Sequence, residues 1–85
     1  MPARAAVVRS AAGRDKGRLL AVVRAEDAAV FVCDGKERPL NRPKRKNKRH
    51  ILPTQAVLPE EALATDRALR RALRQLDAEM NDNIK

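Results

Sequence analysis

Aromatic residues are almost missing from this chain of 85 residues: one Phe, no Trp and no Tyr. Proteins that read single-stranded nucleic acid stack bases on aromatic platforms. With Phe31 alone, and expected inside the fold, that mode of binding is excluded as the main one. The core has to be built from Val, Leu, Ile and Ala. Cysteine is equally scarce. Cys33 is the only one, so no disulfide forms within a monomer and no cysteine-based metal site exists. It lies in an apolar run and is expected as a small buried strand residue. His50 is the only histidine and is distant from Cys33 in sequence. There is no supported Ser/His/Asp arrangement, no P-loop and no GxGxxG. Glu60 and Glu61 suit a helix N-terminus better than acid–base work. The chain is therefore not expected to be an enzyme or to carry a cofactor or metal. No apolar run approaches the ~20 residues of a membrane span. The N-terminus lacks the continuous apolar core of a signal peptide, so the cytoplasm is the expected compartment.

Positive charge is what the chain does have. The formal net charge is +8, and its placement is uneven. Residues 1–18 carry +4 and residues 34–50 carry +6, while the segments 19–33 and 51–85 are each −1. Charge concentrated in this way argues for a polyanionic partner. The length allows one domain with a small core, since a chain of this size buries only roughly 60–65% of its unfolded surface.

Short apolar runs mark the strands. Residues 5–10, 18–25 and 28–33 read as three of them. Val7 and Val8 adjoin, so the first is expected to be covered on both sides at its centre. In the third, alternation places Val30 and Val32 on one face and Phe31 and Cys33 on the other. Asp34-Gly35 is a strong turn signal and predicts a tight hairpin into a fourth strand over 37–41. Pro39 makes that an edge strand. A last short strand is expected over 50–54. Five short strands without room for crossovers predict a mainly β fold, a small antiparallel barrel. Pro59, Glu60 and Glu61 then open a helical pattern. Ala62, Leu69, Leu73, Leu76 and Met80 share one face, with Arg67, Arg70, Arg71 and Arg74 mostly opposite. Asp66 and Arg70 form an (i, i+4) pair of favourable polarity. The boundary is expected at residue 58: a barrel over 1–58 and an amphipathic helix over 59–85, fraying from 81 onward.

Two stretches carry the candidate site. The first is the loop over 11–17, where Gly13 and Gly17 alternate with Arg14 and Lys16, and Arg18 follows. Glycine there permits positive φ and close approach. Backbone amides and cationic side chains together suit phosphate, although an ordinary solvated hairpin tip has the same composition. The second is NRPKRKNKRH over 41–50, with Arg42, Lys44, Arg45, Lys46, Lys48 and Arg49. Repulsion predicts a mobile loop that stays out of the core and orders on a polyanion. His50 reads either as a contact to base or phosphate or as a surface residue beside a strand. Arg9, Lys36 and Arg38 complete the candidate set.

The stretch VVRSAAGRDKGRLLAVV, residues 7–23, resembles a KOW motif: a strand, a loop with a central glycine (Gly13), and a second strand opening on the basic step Lys16-Gly17-Arg18. Residues 5–55 are similar to the small bacterial KOW domain-containing RNA-binding proteins, which are related to archaeal and eukaryotic ribosomal KOW proteins. The resemblance implies an SH3-like barrel and a ribonucleoprotein role in translation. On it the partner is ribosomal RNA at or near the large ribosomal subunit, held through phosphates. A NusG-like transcription-associated or protein-interaction module and a DNA-binding factor are the alternatives. The helix over 59–80 is a possible surface for a protein partner. The free chain is expected to be a monomer.

Overall fold

The computed structural model describes residues 4–82. Its elements are β1 (Ala6–Ser10), β2 (Leu19–Ala25), β3 (Ala29–Cys33), β4 (Lys44–Asn47), β5 (Ile51–Val57) and the helix α1 (Asp66–Asp82). The fold is mainly β, with a C-terminal helix. All strand pairs are antiparallel, in one sheet of order β4-β3-β2-β1-β5. The sheet is not closed by hydrogen bonds, so β4 and β5 are its edges. Only the 3-10 turn Lys48–His50 separates those edges in the chain, an arrangement compatible with a small SH3-like barrel. Register shifts lie between Ala6 and Val8 against β5, and between Val22 and Arg24 against β3. Bulges of this kind bend strands and let a short sheet curl. At the first of them, the Thr54 hydroxyl donates to the Val7 carbonyl at 2.6 Å.

The central strands are covered on both faces, which explains their nearly continuous apolar runs. One face gathers Val8, Leu20, Val22, Val30, Val32 and Ile51. The other gathers Val7, Leu19, Ala21 and Cys33, together with Leu63, Leu69 and Leu73 from beyond the sheet. Val7 and Val8 thus bury on opposite sides. Val30 and Val32 share a face, with Cys33 opposite. Burial of Leu69 and Leu73 contributes roughly 1.5–3 kcal/mol each, and this holds α1 against the sheet. Leu76 and Met80 pack at the margin. The Cys33 thiol donates to the Pro39 carbonyl at 3.4 Å. Burial, with Asp66 and Asp34 nearby, pushes its pKa up to about 11.

Several expectations change. The fourth strand is 44–47, inside the basic run, and not 37–41. The turn after β3 uses up the backbone groups a strand would need. Asp34 Oδ1 accepts the amides of Lys36 and Arg38 at 2.9 Å each, and the Arg38 carbonyl accepts the amides of Asp34 and Gly35. Pro39 and Pro43 have no amide to donate, so pairing with β3 resumes only at Lys44. The last strand runs 51–57, longer than the expected 50–54. The helix begins at Asp66, later than expected. Pro59 and the two glutamates open only a 3-10 turn, Glu60–Leu63. Thr65 caps α1 by accepting the Ala68 amide at 3.0 Å on its hydroxyl, the bonding expected of an N-cap. Asp66 does not pair with Arg70; its carboxylate accepts the Leu40 amide at 2.7 Å. Phe31 is only half-buried, with the Arg24 guanidinium 4.8 Å above its ring. α1 continues through Asp82, and the rest of the expected fraying end lies outside the described residues.

Candidate nucleic-acid interface

The loop between β1 and β2 folds around an acid. The Gly17 amide donates to the Ser10 carbonyl and the Arg18 amide to the Asp15 carbonyl. Gly13 and Gly17 take φ values of +87° and +89°, which glycine adopts without steric cost. Inside this loop the Asp15 carboxylate is almost fully buried. Its Oδ1 accepts from the Ser10 hydroxyl at 2.7 Å and from the Lys46 ammonium at 3.0 Å. Lys46 also donates to the Ala12 carbonyl at 3.0 Å. Burial alone pushes the Asp15 carboxyl up. The Ser10 and Lys46 hydrogen bonds, with the charges of Lys46 and Lys44, outweigh it and hold the group below its ordinary value.

Lys46 is the largest departure from the expected mobile loop. It lies on β4 opposite Val30, and only 6% of its side chain is exposed. Its methylene stem runs along the apolar face and its head reaches the β1–β2 loop, the way a long cationic side chain covers apolar surface. The basic run enters the sheet because its charges find partners on alternate faces. Lys46 meets Asp15, and Arg45, on the other face, lies 3.7 Å from Glu26. Lysine on an edge strand also discourages pairing with another sheet.

Lys46 ties the two candidate stretches together, but it is not available to a ligand. Arg9 is also committed to the fold. Its guanidinium donates to the Gly17 carbonyl and lies 3.5 Å from Asp77 of α1. Arg18 pairs with Glu37 at 3.1 Å while both remain half-exposed. Arg45 and the Lys48 amide, which donates to the Ala28 carbonyl, belong to the end of the sheet near the β2–β3 turn. His50 is exposed, and its carbonyl accepts the Ala11 amide, which fixes the turn before β5 beside the loop.

Arg14, Arg38, Arg42 and Lys44, together with the paired Arg18, form a rim over two adjoining clefts. Arg14, Arg18 and Arg38 line one cleft of about 440 Å³ together with Asp15, Asp34 and Glu37. Arg38 continues into a second cleft with Arg42 and Lys44. No protein-family model matches the chain, and no curated protein matches it. Among the described residues no carboxylate pairs with Arg14, Lys16, Lys36, Arg38, Arg42, Lys44 or Arg49. Cations placed in this way favour an anionic partner. No group of His, Cys, Asp or Glu able to hold a metal occurs among the described residues. No helix among them is long and apolar enough to cross a membrane. The candidate list missed Asp15 and Ser10, whose importance depends on burial. It also left out the helix arginines, although their periodicity was visible.

Proposed function

We propose that this chain is an RNA-binding module of the KOW type. In this reading it holds structured ribosomal RNA at or near the large ribosomal subunit, in the cytoplasm, through phosphate contacts. The observation that carries the proposal is the rim of unpaired cations from Arg14 through Arg38 and Arg42 to Lys44. Arg14, Arg38, Arg42 and Lys44 outnumber the acids Asp15, Asp34 and Glu37 that line the same clefts, and two of those acids are taken, Asp15 by Lys46 and Glu37 by Arg18. A polyanion relieves the repulsion that remains among the cations. The resemblance of residues 7–23 to a KOW motif supports RNA as that polyanion, and "ribosomal" rests on the resemblance alone. The Arg24 guanidinium lies over the face of the Phe31 ring, so base stacking on it is not the main source of affinity.

The test is the salt dependence of binding to a folded RNA hairpin and to a DNA duplex of equal length. Contacts to about five to seven phosphates give a log–log slope of about −4 to −6. The proposal predicts that slope and tighter binding to RNA than to DNA at one salt concentration. Replacing Arg14, Arg38, Arg42 and Lys44 together by Gln should weaken RNA binding by at least about tenfold, with the fold retained. A slope near zero sinks the phosphate reading, and equal affinity for both nucleic acids favours the DNA-binding alternative.

A further inference from the structure

The exposed arginines of α1 form a second charged surface. Arg67, Arg70, Arg71 and Arg74 line one shallow cleft of about 230 Å³ with no other residue in it. None of them has a carboxylate partner among the described residues. The acids of the helix that have partners are turned elsewhere: Asp66 accepts the Leu40 amide and Asp77 meets Arg9.

Their position along the helix is the telling feature. The N-terminal end of a helix carries partial positive charge, so cations are disfavoured there and favoured at the C-terminal end. Here Arg67 lies in the first turn of Asp66–Asp82, Arg70 and Arg71 in the second and Arg74 at the midpoint, and the last turn holds no basic residue. Asp77, Glu79 and Asp82 occupy the C-terminal half. Like charges three and four residues apart repel as well. Local helix stability therefore opposes this distribution, through the dipole at Arg67 and through repulsion among all four arginines, while the apolar stripe that docks α1 does not require it. An anion lying along this face relieves the repulsion.

The patch is continuous with the rim. Arg70 and Arg74 line a cleft with Arg18, Lys36, Leu19, Leu73 and the acids Asp34 and Asp77. Arg18 in turn lines the cleft that holds Arg14 and Arg38. Four residues spaced over seven positions of a helix extend about 10 Å, room for more than one phosphate. We infer that the arginine face of α1 is a second phosphate-binding surface, which engages the same RNA as the loop rim and carries its backbone from the sheet onto the helix. This inference rests on the RNA-binding reading.

The experiment compares three full-length proteins on one folded RNA hairpin across a salt series: wild type, R67Q/R70Q/R71Q/R74Q, and the corresponding Arg→Lys variant. The Gln variant should bind at least about tenfold more weakly. Its salt slope should be shallower by about 1.5–2.5, the loss of two or three phosphate contacts. The Lys variant should keep most of the slope, since charge is retained. Melting temperature of the Gln variant should hold or rise, because helix repulsion is removed. An unchanged slope and affinity in the Gln variant, while the rim variant R14Q/R38Q/R42Q/K44Q weakens, overturns the helix surface and leaves the loop reading standing. Absence of salt-dependent binding by wild type overturns both. If the Gln variant loses helicity, the milder variants R67Q/R71Q and R70Q/R74Q replace it: a shallower slope in a helical one supports the surface, and wild-type slopes in both overturn it.

Discussion

The two loops beneath the basic rim are closed by aspartates in different ways. In the β1–β2 loop, Asp15 is buried and accepts from side chains, one of them the Lys46 ammonium from a strand far away in sequence. In the β3–β4 loop, Asp34 is only half-buried and accepts two backbone amides within four residues of itself. The first loop depends on a long-range charge pair. The second depends on local turn chemistry and on contact with α1 through Gly35 and Leu40. A loop fixed by local bonds is readable from a few residues, and one fixed by a distant lysine is not.

The largest effect should come from breaking the long-range pair. Lys46→Met keeps the apolar stem and removes the ammonium, leaving Asp15 buried without a cation. Removing one member of a buried pair costs about 3–5 kcal/mol, a fall in melting temperature of more than about 10 °C for a chain of this size. Asp15→Leu added to Lys46→Met should recover much of the loss. Thermal unfolding of the single and double variants checks this. A Lys46→Met protein as stable as wild type would mean that the pair is dispensable and that both loops are locally fixed. The same variant also separates Lys46 from Arg42 and Lys44, which belong to the rim.

The next effect probes the other loop. Gly35 has φ +80°, and a Cβ there would collide with the Asp66 carbonyl oxygen and lie 3.0 Å from the Arg70 amide nitrogen. Gly17 has φ +89° with nothing within 4 Å of such a Cβ. Gly35→Ala should therefore destabilise by about 2–4 kcal/mol, backbone strain and overpacking together. Gly17→Ala should cost roughly 1 kcal/mol, for strain alone. Denaturant unfolding of the two variants measures the difference. Equal losses would show that the close approach of the β3–β4 loop to α1 yields without penalty.

Much of the fold was legible because it depends on short-range pattern. Adjacent valines at 7 and 8 announced a strand covered twice. Alternation in β3 placed Val30 and Val32 against Cys33 correctly, and the apolar stripe of Leu69 and Leu73 marked the docked face of α1. The fourth strand was misplaced because Asp34-Gly35 was read as a two-residue hairpin, whereas the carboxylate prolongs the turn by capturing two further amides. The helix start was misplaced because Pro59 and the two glutamates open only a 3-10 turn, while the cap of α1 is a single residue, Thr65, which the sequence reading passed over. Lys46 was illegible for a deeper reason. In sequence it is one of six similar cations, and only the register opposite Val30 separates it from them. The rim was legible as charge, but which of its members are already paired became visible only with Glu37, Asp77 and Asp15 in place.

The smallest expected effect is a pH dependence of the β1–β2 loop. The Asp15 carboxyl titrates below the ordinary aspartate value of 3.8 in the folded protein. A carboxyl with a depressed folded pKa contributes stability above its unfolded pKa, and that contribution fades as pH falls through the folded value. Above about pH 5 the full contribution is present, and it declines below 3.8. Asp15→Asn retains the shape but has no proton to gain. Wild type should therefore be the more stable at neutral pH, and its advantage over Asp15→Asn should narrow as pH drops from 5 toward 2.5. Protonating Asp15 leaves the Lys46 ammonium facing a neutral acid, much as Asn does, so the two melting curves converge. Melting temperatures of the two proteins across that range measure the convergence. A constant gap between wild type and Asp15→Asn would show that the carboxylate charge contributes nothing to the loop beyond its hydrogen bonds.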